Sequence, residues 1–498
     1  MIDNRRKNHI GVLNNQEQYR LDEAIQTRRD FLSGLTTAAG ILSVGCSAGG
    51  KSREADRSAE PRGPADVTLR IGPVLADIAE DHTITTIGYN GSVPGPVIRF
   101  QEGVPVTVDL FNDTDILEYV HWHGMTLPAA LDGAEEEGSL AVPAHGHIRY
   151  RLTPEPSGAR FVHTHAMSMH DLYRGTFTGQ YAFTYIEPRI NPGHYDQEIF
   201  LSTHEWEPYF TTEEEEPSET EPPAEPHEMG EEPAEWEVGY HRYTINGKCL
   251  GHGEPIRVKE GQRVLFHLLN ASATENIKLA LPGHSFQVVA LDGNPVPRPT
   301  RVDLLRLGTA ERIDAVVEMN NPGVWILGSP KDADRGKGMG IVIEYANRTG
   351  VPRWIKPATK AWDYTLFGEA SGTSVPAEVI PLLFGQTAGS GGFAHWTING
   401  KAYRDGDQPR VLTRGKRYRL VFDNQTHDEH PVHLHRNSFE LTNVGGKPTQ
   451  GVWKDVVLVN AFQKIAADFT PAVEGLTLFH CHQQIHMGCG FRMLFNVL

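Results

Sequence analysis

Short stretches in which apolar and polar residues alternate recur along the chain, and turn-forming residues separate them. Val104-Pro-Val-Thr-Val-Asp-Leu110 and Arg263-Val-Leu-Phe-His-Leu-Leu269 are two of these stretches. Alternation of this kind is typical of β-strands. The 498 residues include 50 Gly and 33 Pro, and 39% of the chain is hydrophobic. We therefore expect a turn-rich, all-β protein that is long enough for roughly two to four domains.

One spacing pattern occurs three times. The pairs Asn90-Gly91, Asn246-Gly247 and Asn399-Gly400 each precede an extended stretch and a further turn glycine, at positions 103, 261 and 415. Nine residues after each of these glycines stands an asparagine with a Ser or Thr nearby: Asn112, Asn270 and Asn424. A repeat of about 150 residues indicates three copies of one β domain. The predicted domains span residues 65–190, 195–350 and 360–498, and the second carries an acidic insert at about 205–238.

Histidine pairs occupy fixed places in this repeat. Nine residues beyond each asparagine lie His121-Trp122-His123, Leu279-Ala280-Leu281 and His433-Leu434-His435. Five residues beyond Gly158, Gly323 and Gly475 lie His163-Thr164-His165, Gly328-Ser329-Pro330 and His480-Cys481-His482. Domains 1 and 3 thus carry two His-x-His pairs each, and domain 2 carries none. We expect a metal site between domains 1 and 3, with domain 2 as a spacer.

The donor types favour copper. Both imidazoles of a His-x-His pair on a strand face the same side, so four pairs offer eight nitrogen donors. This number exceeds the needs of one tetrahedral zinc and suits a cluster of coppers. Cys481 faces away from its neighbours His480 and His482 if the segment is extended. With His430 and His486 it makes a His₂Cys set, which is typical of blue-copper electron-transfer centres.

Four segments resemble the signatures of three-domain multicopper oxidases, the family of laccases, copper-efflux-type and spore-coat-type oxidases, ascorbate oxidase and ferroxidases. They are His121-Trp-His-Gly124, His163-Thr-His165, His430-Pro-Val-His-Leu-His435 and His480-Cys-His-x₃-His486. The resemblance covers roughly residues 65–498 and implies three consecutive cupredoxin-like Greek-key β-sandwich domains. It implies four coppers per chain: type 1 on His430, Cys481 and His486; type 2 on His121 and His433; a type 3 pair on His123, His163, His165, His435, His480 and His482.

The resemblance also implies a laccase-like reaction. Phenols or aromatic amines would give single electrons to the type 1 copper, Cys481 with His480 and His482 would relay them, and dioxygen would be reduced to water. One alternative is a metal-ion oxidase for Fe(II), Mn(II) or Cu(I), which Asp428 and Glu429 beside the type 1 histidine keep open. Another is a periplasmic copper-binding protein without turnover.

Two residues would affect the reduction potential of the type 1 site and the supply of protons to the copper cluster. Phe491 stands where the family often has Met or Leu, so we expect a three-coordinate type 1 site with a relatively high reduction potential. The alternative is that Met487 or Met493 approaches instead. Asp132, followed by a glycine, is the candidate proton donor for oxygen reduction, and an ordinary turn aspartate is the competing interpretation.

Two further residues are candidates for supporting roles. Asp455 resembles a residue that packs near the type 1 site, where it would orient His430 or His486, or it caps a turn. Arg436 replaces a glycine common in the family and lies either near the cluster or on the surface.

Charge and the N-terminus suggest an exported protein. The net charge of −17 argues against nucleic acid as a partner, and twelve Glu without Lys or Arg fall between 213 and 237. Arg28-Arg29-Asp-Phe-Leu32 resembles a twin-arginine export signal, and the apolar stretch after it is too short to span a membrane. We expect residues 1–60 to be signal and linker, and the protein to be periplasmic or on the cell surface. Cys46 lies in a poor lipobox, which leaves a lipid anchor as an alternative, and pairing of Cys249 with Cys489 stays open.

Overall fold

The computed structural model describes residues 63–189, 193–212, 236–357, 362–370, 375–389 and 391–498. The described residues all belong to the unit Pro61–Leu498. The predicted export signal, Cys46 and most of the acidic insert lie outside the described residues. Within the described part, no helix is long and apolar enough to cross a bilayer.

Domain 1 consists of two four-stranded sheets. Its strands are β1 (Val67–Ala79), β2 (His82–Tyr89), β3 (Gly95–Gln101), β4 (Val106–Asn112), β5 (Val120–His123), β6 (His147–Leu152), β7 (Gly158–Thr164) and β8 (Tyr181–Glu187). One sheet has the order β2-β1-β4-β6 and the other β3-β8-β7-β5. A short helix α1 (Ala129–Asp132) and two 3₁₀ turns, Glu135–Glu137 and Gly175–Thr178, connect the strands.

Domain 2 is built on a six-stranded sheet. Its elements are β9 (Gln197–Thr211), β10 (Glu237–Ile245), β11 (Ile256–Val258), β12 (Arg263–Asn270), β13 (Ile277–Leu279), β14 (Phe286–Leu291), β15 (Asn294–Val302), β16 (Leu305–Leu307), β17 (Arg312–Glu318), β18 (Val324–Gly328), α2 (Asp332–Lys337) and β19 (Gly340–Tyr345). The large sheet has the order β10-β9-β12-β17-β14-β15, and the smaller ones are β11-β19-β18 and β13-β16.

Domain 3 pairs a six-stranded with a five-stranded sheet. Its elements are a 3₁₀ turn (Tyr364–Leu366), β20 (Glu378–Ala388), β21 (Ala394–Ile398), β22 (Arg410–Leu412), β23 (Tyr418–Asn424), β24 (His430–Leu434), β25 (Phe439–Val444), β26 (Lys447–Lys454), β27 (Val456–Val459), β28 (Lys464–Phe469), β29 (Gly475–Cys481), α3 (Gln484–Gly488) and β30 (Arg492–Val497). The sheet orders are β21-β20-β23-β28-β25-β26 and β22-β30-β29-β24-β27.

The three domains begin with the same arrangement of strands. In each, the first strand pairs antiparallel with the second and parallel with a later strand: β1 with β4, β9 with β12, and β20 with β23. The core lies between the sheets, where alternate residues such as Leu69 and Ile71 are buried. The predicted all-β fold of three consecutive β-sandwich domains is confirmed, while the predicted boundaries between the domains stay a prediction.

The repeated asparagines form the same hydrogen bonds in every domain. Asn90, Asn246 and Asn399 have φ values of 53°, 52° and 54°, a left-handed conformation that asparagine tolerates. Each side-chain oxygen accepts from a backbone N–H of the domain's first strand at 2.7 or 2.8 Å. Each side-chain amide donates to a carbonyl of the same first strand, two residues before that N–H, at 2.9 or 3.0 Å. This turn therefore fixes the start of each domain.

A second asparagine closes a loop in each domain. The amides of Asn112, Asn270 and Asn424 donate to a carbonyl four or five residues ahead, at 2.7 or 2.8 Å. Their side-chain oxygens accept from the backbone N–H two residues ahead, at 2.9 to 3.1 Å. The strand that carries a histidine pair in domains 1 and 3 follows this loop, so the loop positions that strand.

Candidate metal centres

Eight buried histidines from the four His-x-His pairs lie together where domains 1 and 3 meet. The strand register places His121 opposite His163 in domain 1 and His433 opposite His480 in domain 3. Rings from the two domains then stack across the junction, with centroid distances of 4.0 Å between His121 and His435 and 3.8 Å between His123 and His433. We call this set the histidine cluster: His121, His123, His163, His165, His433, His435, His480 and His482. At the equivalent positions, domain 2 has buried Leu279, Ala280 and Leu281.

Most cluster histidines are oriented by a hydrogen bond from one ring nitrogen. Nδ1 of His121, His163, His433 and His480 lies 2.7 or 2.8 Å from a backbone carbonyl oxygen. A carbonyl only accepts, so each Nδ1 carries the proton and Nε2 keeps its lone pair. For His121, His163 and His433, that Nε2 is buried and has no hydrogen-bond partner among the described residues. These nitrogens are arranged as metal ligands.

One pair of nitrogens is placed to share a cation. His435 donates through Nδ1 to Asp132 Oδ2 at 2.8 Å, and His480 donates through Nδ1 to the Cys481 carbonyl. The two remaining Nε2 atoms, both with lone pairs, lie 3.1 Å apart. With both protons on Nδ1, the two lone pairs face each other at a distance at which one metal cation could bind both. Burial lowers the pKa of His480 to about 3 and that of His435 well below 6.5, so both imidazoles are neutral and ready to bind a metal.

A second donor set lies on the other face of the Cys481 strand. Cys481 Sγ is 3.8 Å from His430 Nδ1 and 3.6 Å from His486 Nδ1, and all three residues are buried. Thr426 Oγ1 donates to Asn424 at 2.8 Å, so it accepts from His430 Nε2 at 2.8 Å and leaves Nδ1 unprotonated. Burial raises the pKa of the Cys481 thiol, so Cys481 becomes a thiolate at neutral pH only when a bound cation stabilises the negative charge.

Aromatic rings enclose this set. Phe491 is fully buried with its ring centroid 4.7 Å from that of His430. Met487 instead packs in an apolar group with Leu478 and Leu494. Trp396, which the sequence did not single out, lies 4.9 Å from His430 and 4.2 Å from His486 between ring centroids. Apolar rings thus exclude water from the Cys481 set.

Asp132 and Glu137 form an acidic pair beside the histidine cluster. Asp132 Oδ2 lies 2.8 Å from His435 Nδ1 and 3.3 Å from His121 Nδ1. Glu137 Oε1 accepts from the Leu478 N–H at 2.7 Å and lies 3.4 Å from His435 Nδ1. Burial and the nearby Asp132 raise the pKa of Glu137 well above its usual range. Sequence reasoning missed Glu137, whose only signal was the run Glu135–Glu137 soon after Asp132.

The structure corrects the prediction for Asp455. Its side chain lies 3.1 Å from His123 Nε2, and its carbonyl accepts from His433 Nδ1 at 2.7 Å. It therefore adjoins the histidine cluster, and the prediction that it orients His430 or His486 was wrong. The reason is register: Val456 pairs with His433, whereas His430 pairs with Val459 farther along the strand.

The structure also shows the surroundings of Arg436, Cys249 and Cys489. Arg436 is buried, with Nε 3.4 Å from Glu137 Oε2, and so it does not lie on the surface. Cys249 lies beside the Lys337 carbonyl, whereas Cys489 Sγ lies 3.6 Å from His170 Nε2. These two cysteines do not form a disulfide with each other.

Comparison with known proteins agrees with this geometry. Family models described as multicopper oxidase match residues 74–190, 218–341 and 379–498. Multicopper oxidase MmcO of Mycobacterium tuberculosis is 28% identical, over 93% of this chain and 95% of its own. Copper resistance protein A of Pseudomonas syringae pv. tomato is 24% identical over 59% of this chain, which spans 53% of that protein. The crystal structure of a multi-copper oxidase from Pseudomonas thermotolerans superposes with a TM-score of 0.66 at 23% identity, covering 87% of this chain and 100% of that one.

The family implies copper, and the donor sets fit it. Imidazole and thiolate are ligands that copper accepts, and two histidines with one cysteine are the donor types found in blue-copper sites. Unpartnered buried nitrogens and opposed lone pairs are otherwise costly in a protein interior. The three family matches cover both donor sets and the domain between them. The chain belongs to the multicopper oxidase family and is an oxidoreductase.

Proposed function

We propose that this protein is a laccase-like oxidase that takes single electrons from phenols or aromatic amines at the Cys481 set and reduces dioxygen to water at the histidine cluster. Copper, when bound, supplies the one-electron transfer at the first set and the reduction of dioxygen at the second. We assign the type 1 copper to His430, Cys481 and His486, the type 2 copper to His121 and His433, and the type 3 pair to the other six cluster histidines, with four coppers per chain. The observation that carries the proposal is the direct bonding of Cys481 to one residue of the cluster on either side.

The Cys481 segment supplies the connection between the two donor sets. Its side chain faces His430 and His486, while those of His480 and His482 face the histidine cluster. Two peptide bonds therefore link the sets. The hydrogen bond from His480 Nδ1 to the Cys481 carbonyl, at 2.8 Å, adds a second route of similar length. Such a short bonded path supports electron transfer from one set to the other.

An aromatic surface next to the Cys481 set supports aromatic donors. Phe393 stacks on His170 at 3.8 Å and lies 5.2 Å from Phe210, which lies 6.2 Å from the half-exposed Trp236. His170 contacts Cys489, whose carbonyl accepts from the N–H of Trp396, the residue that covers His486. A flat aromatic donor stacks well on partly exposed rings of this kind. We propose that the reductant binds on this surface.

Protons and dioxygen would reach the histidine cluster from different sides. A small cavity lined by His165, His482, Thr176, Gln484 and Met487 opens beside the cluster and is the proposed approach for dioxygen. The pair of Asp132 and Glu137 lies against His435 and is the proposed store of protons. We also propose export to the periplasm or cell surface, on the basis of Arg28 and Arg29.

A second candidate is the oxidation of metal ions. Glu429 is engaged by Arg306 and lies 3.3 Å from the Asn276 amide, which weakens its case as a ligand for Fe(II) or Mn(II). For Cu(I), one observation is favourable: the thiol of Cys489 and the imidazole of His170 lie 3.6 Å apart near the Cys481 set, and soft donors of this type select Cu(I). The name of the copper resistance relative points the same way.

Oxygen uptake by the copper-loaded protein tests the proposal. We expect oxygen uptake with a diphenol and an aromatic amine to exceed uptake with Fe(II), Mn(II) or Cu(I). Metal analysis of the loaded protein should give about four coppers per chain. Cys481→Ser is the control, because it removes the thiolate while the eight cluster histidines remain. Uptake with Cu(I) alone would support the second candidate instead. Absence of uptake with every donor would refute both.

A further inference from the structure

Six buried charged residues lie where the three domains meet. We call them the charge cluster: Arg160 of domain 1; Asp292, Glu311 and Arg312 of domain 2; Lys454 and Asp455 of domain 3. None is more than 2% exposed. Three cations face three anions, so the cluster is balanced. Burying an ion costs several kcal/mol unless its pairing is close, and apolar residues would often hold such a junction equally well. Packing of the three domains alone therefore does not explain why charged residues occupy this junction.

Arg312 holds Asp455 in a fixed orientation. Its two terminal nitrogens donate to the two carboxylate oxygens at 2.6 and 2.5 Å. The guanidinium is itself held by the carbonyls of Ala310, at 2.9 Å, and Ala159, at 3.3 Å. A planar fork that binds both oxygens fixes the plane of the carboxylate as well as its position. Arg160 adds charge from 3.5 Å without this geometry.

Asp455 in turn contacts one histidine from each ligand-bearing domain. Its side chain lies 3.1 Å from His123 Nε2 and its carbonyl 2.7 Å from His433 Nδ1. These two rings stack at 3.8 Å across the domain junction. A carboxylate on one ring nitrogen sets the tautomer and the rotation of the imidazole, which leaves His123 Nδ1 for a metal. Asp455 is thus a shared support for two cluster histidines.

The backbone beside His123 lies against the charge cluster without room for a side chain. Gly124 has a φ of +81°, and a Cβ at this position would lie 2.6 Å from Asp455 Oδ2 and 2.9 Å from Arg312 Nη2. The charge cluster therefore packs directly against the end of β5, the strand that carries His121 and His123. This contact links domain 2 to the histidine cluster independently of the hydrogen bonds.

We propose that Arg312 is a positioning residue for the histidine cluster. Through Asp455 it fixes His123 and His433, so domain 2, which has no ligand of its own among the described residues, forms part of the frame of the metal site. The inference extends the expectation that domain 2 is a spacer. It rests on the proposed function in one respect, that the histidine cluster binds copper.

Arg312→Lys tests this role because it keeps the charge and removes the fork. We expect the affinity of the histidine cluster for copper to fall by about 10- to 100-fold, with an altered paramagnetic resonance signal from the His121 and His433 site. The blue absorption of the Cys481 set should be retained. Arg419→Lys is the control, since Arg419 on β23 also makes a two-point contact, through Nε and Nη2, with buried Asp468 on β28, at 2.6 and 3.0 Å.

A second variant and the wild-type protein separate the outcomes. Asp455→Asn keeps the side-chain shape and should produce the same loss of cluster copper. Unchanged copper affinity and spectrum in Arg312→Lys would overturn the inference. So would a failure of both variants to fold, or an equal loss at both donor sets that follows a lowered melting temperature, because each indicates a structural role only. A wild-type protein that holds no copper at the histidine cluster would instead refute the proposed function.

Discussion

His267 lies between two carboxylates inside domain 2 and predicts how stability changes with pH. Its Nδ1 is 2.8 Å from Asp314 Oδ1, its Nε2 is 3.1 Å from Glu198 Oε1, and its side chain is 1% exposed. Burial by itself would lower the pKa of His267, but the two acidic partners outweigh burial and raise the pKa to about 9. The imidazole is therefore charged in the folded protein at neutral pH, although it is largely neutral in the unfolded chain.

The raised pKa of His267 determines the size and sign of the change in the free energy of unfolding with pH. A rise from 6.5 to about 9 corresponds to about 3 kcal/mol, at about 1.4 kcal/mol for each pH unit. Glu198 is 16% exposed, so solvent screens part of its interaction with His267. We therefore expect charged His267 to contribute about 2 to 3 kcal/mol to the free energy of unfolding. Between pH 6.5 and 9 the folded state binds one proton more than the unfolded state. The stabilisation is therefore complete below pH 6.5 and disappears as pH rises through 9.

Denaturant unfolding of the wild-type protein and His267→Gln between about pH 6 and 10 measures this difference. Taking the difference between the two proteins removes the titration of all groups that they share. His284→Gln is the control, because burial lowers the pKa of His284, and its contribution does not fall over this range. A difference between wild type and His267→Gln that stays constant from about pH 6 to 10 would show that His267 binds no extra proton in the fold.

Three further predictions concern the Cys481 set. Cys481→Ser should abolish the blue absorption and leave most cluster copper bound, as metal analysis would show; survival of the band would refute the type 1 assignment. Phe491→Met offers a thioether next to His430 and should lower the reduction potential in a poised redox titration, and an unchanged potential would contradict a position for this residue beside the copper that the Cys481 set would hold. Trp396→Ala removes a ring that is 3% exposed and covers His486, and should cost about 3 to 5 kcal/mol in denaturant unfolding; a cost below about 1 kcal/mol would contradict tight packing there.

The histidine cluster was predictable because its geometry follows from a repeat. The same spacing in domains 1 and 3 placed each His-x-His pair at one point of a strand, and strand geometry then turned both rings to one face. The pairing of His121 with His163 and of His433 with His480 across each sheet was not predicted, because the repeat gives the place of each pair along its strand and not the register between strands. The separation of Cys481 from its neighbours followed from the same alternation.

The residues that support the ligands were harder to predict, since contacts distant in sequence define them. Arg312 and Asp455 are 143 positions apart, and no local pattern connects them. Trp396 precedes Asn399 by three residues, as Tyr243 precedes Asn246 and Ile87 precedes Asn90, so the repeat indicates only a hydrophobic residue at this place. Asp455 was assigned to the wrong donor set because the sequence does not give the register between β24 and β27.

Domain 2 supplies a reference for what the ligands contribute to folding. Domain 2 keeps both asparagine turns with the same hydrogen bonds as domains 1 and 3. However, Leu279 and Leu281 occupy the positions at which domains 1 and 3 carry histidines. Both leucines are buried at 1% and 0% exposure, so apolar side chains fill the volume that imidazoles occupy elsewhere. The scaffold and its metal chemistry are thus separable. A domain of this repeat can therefore fold without histidines at these positions, as domain 2 does.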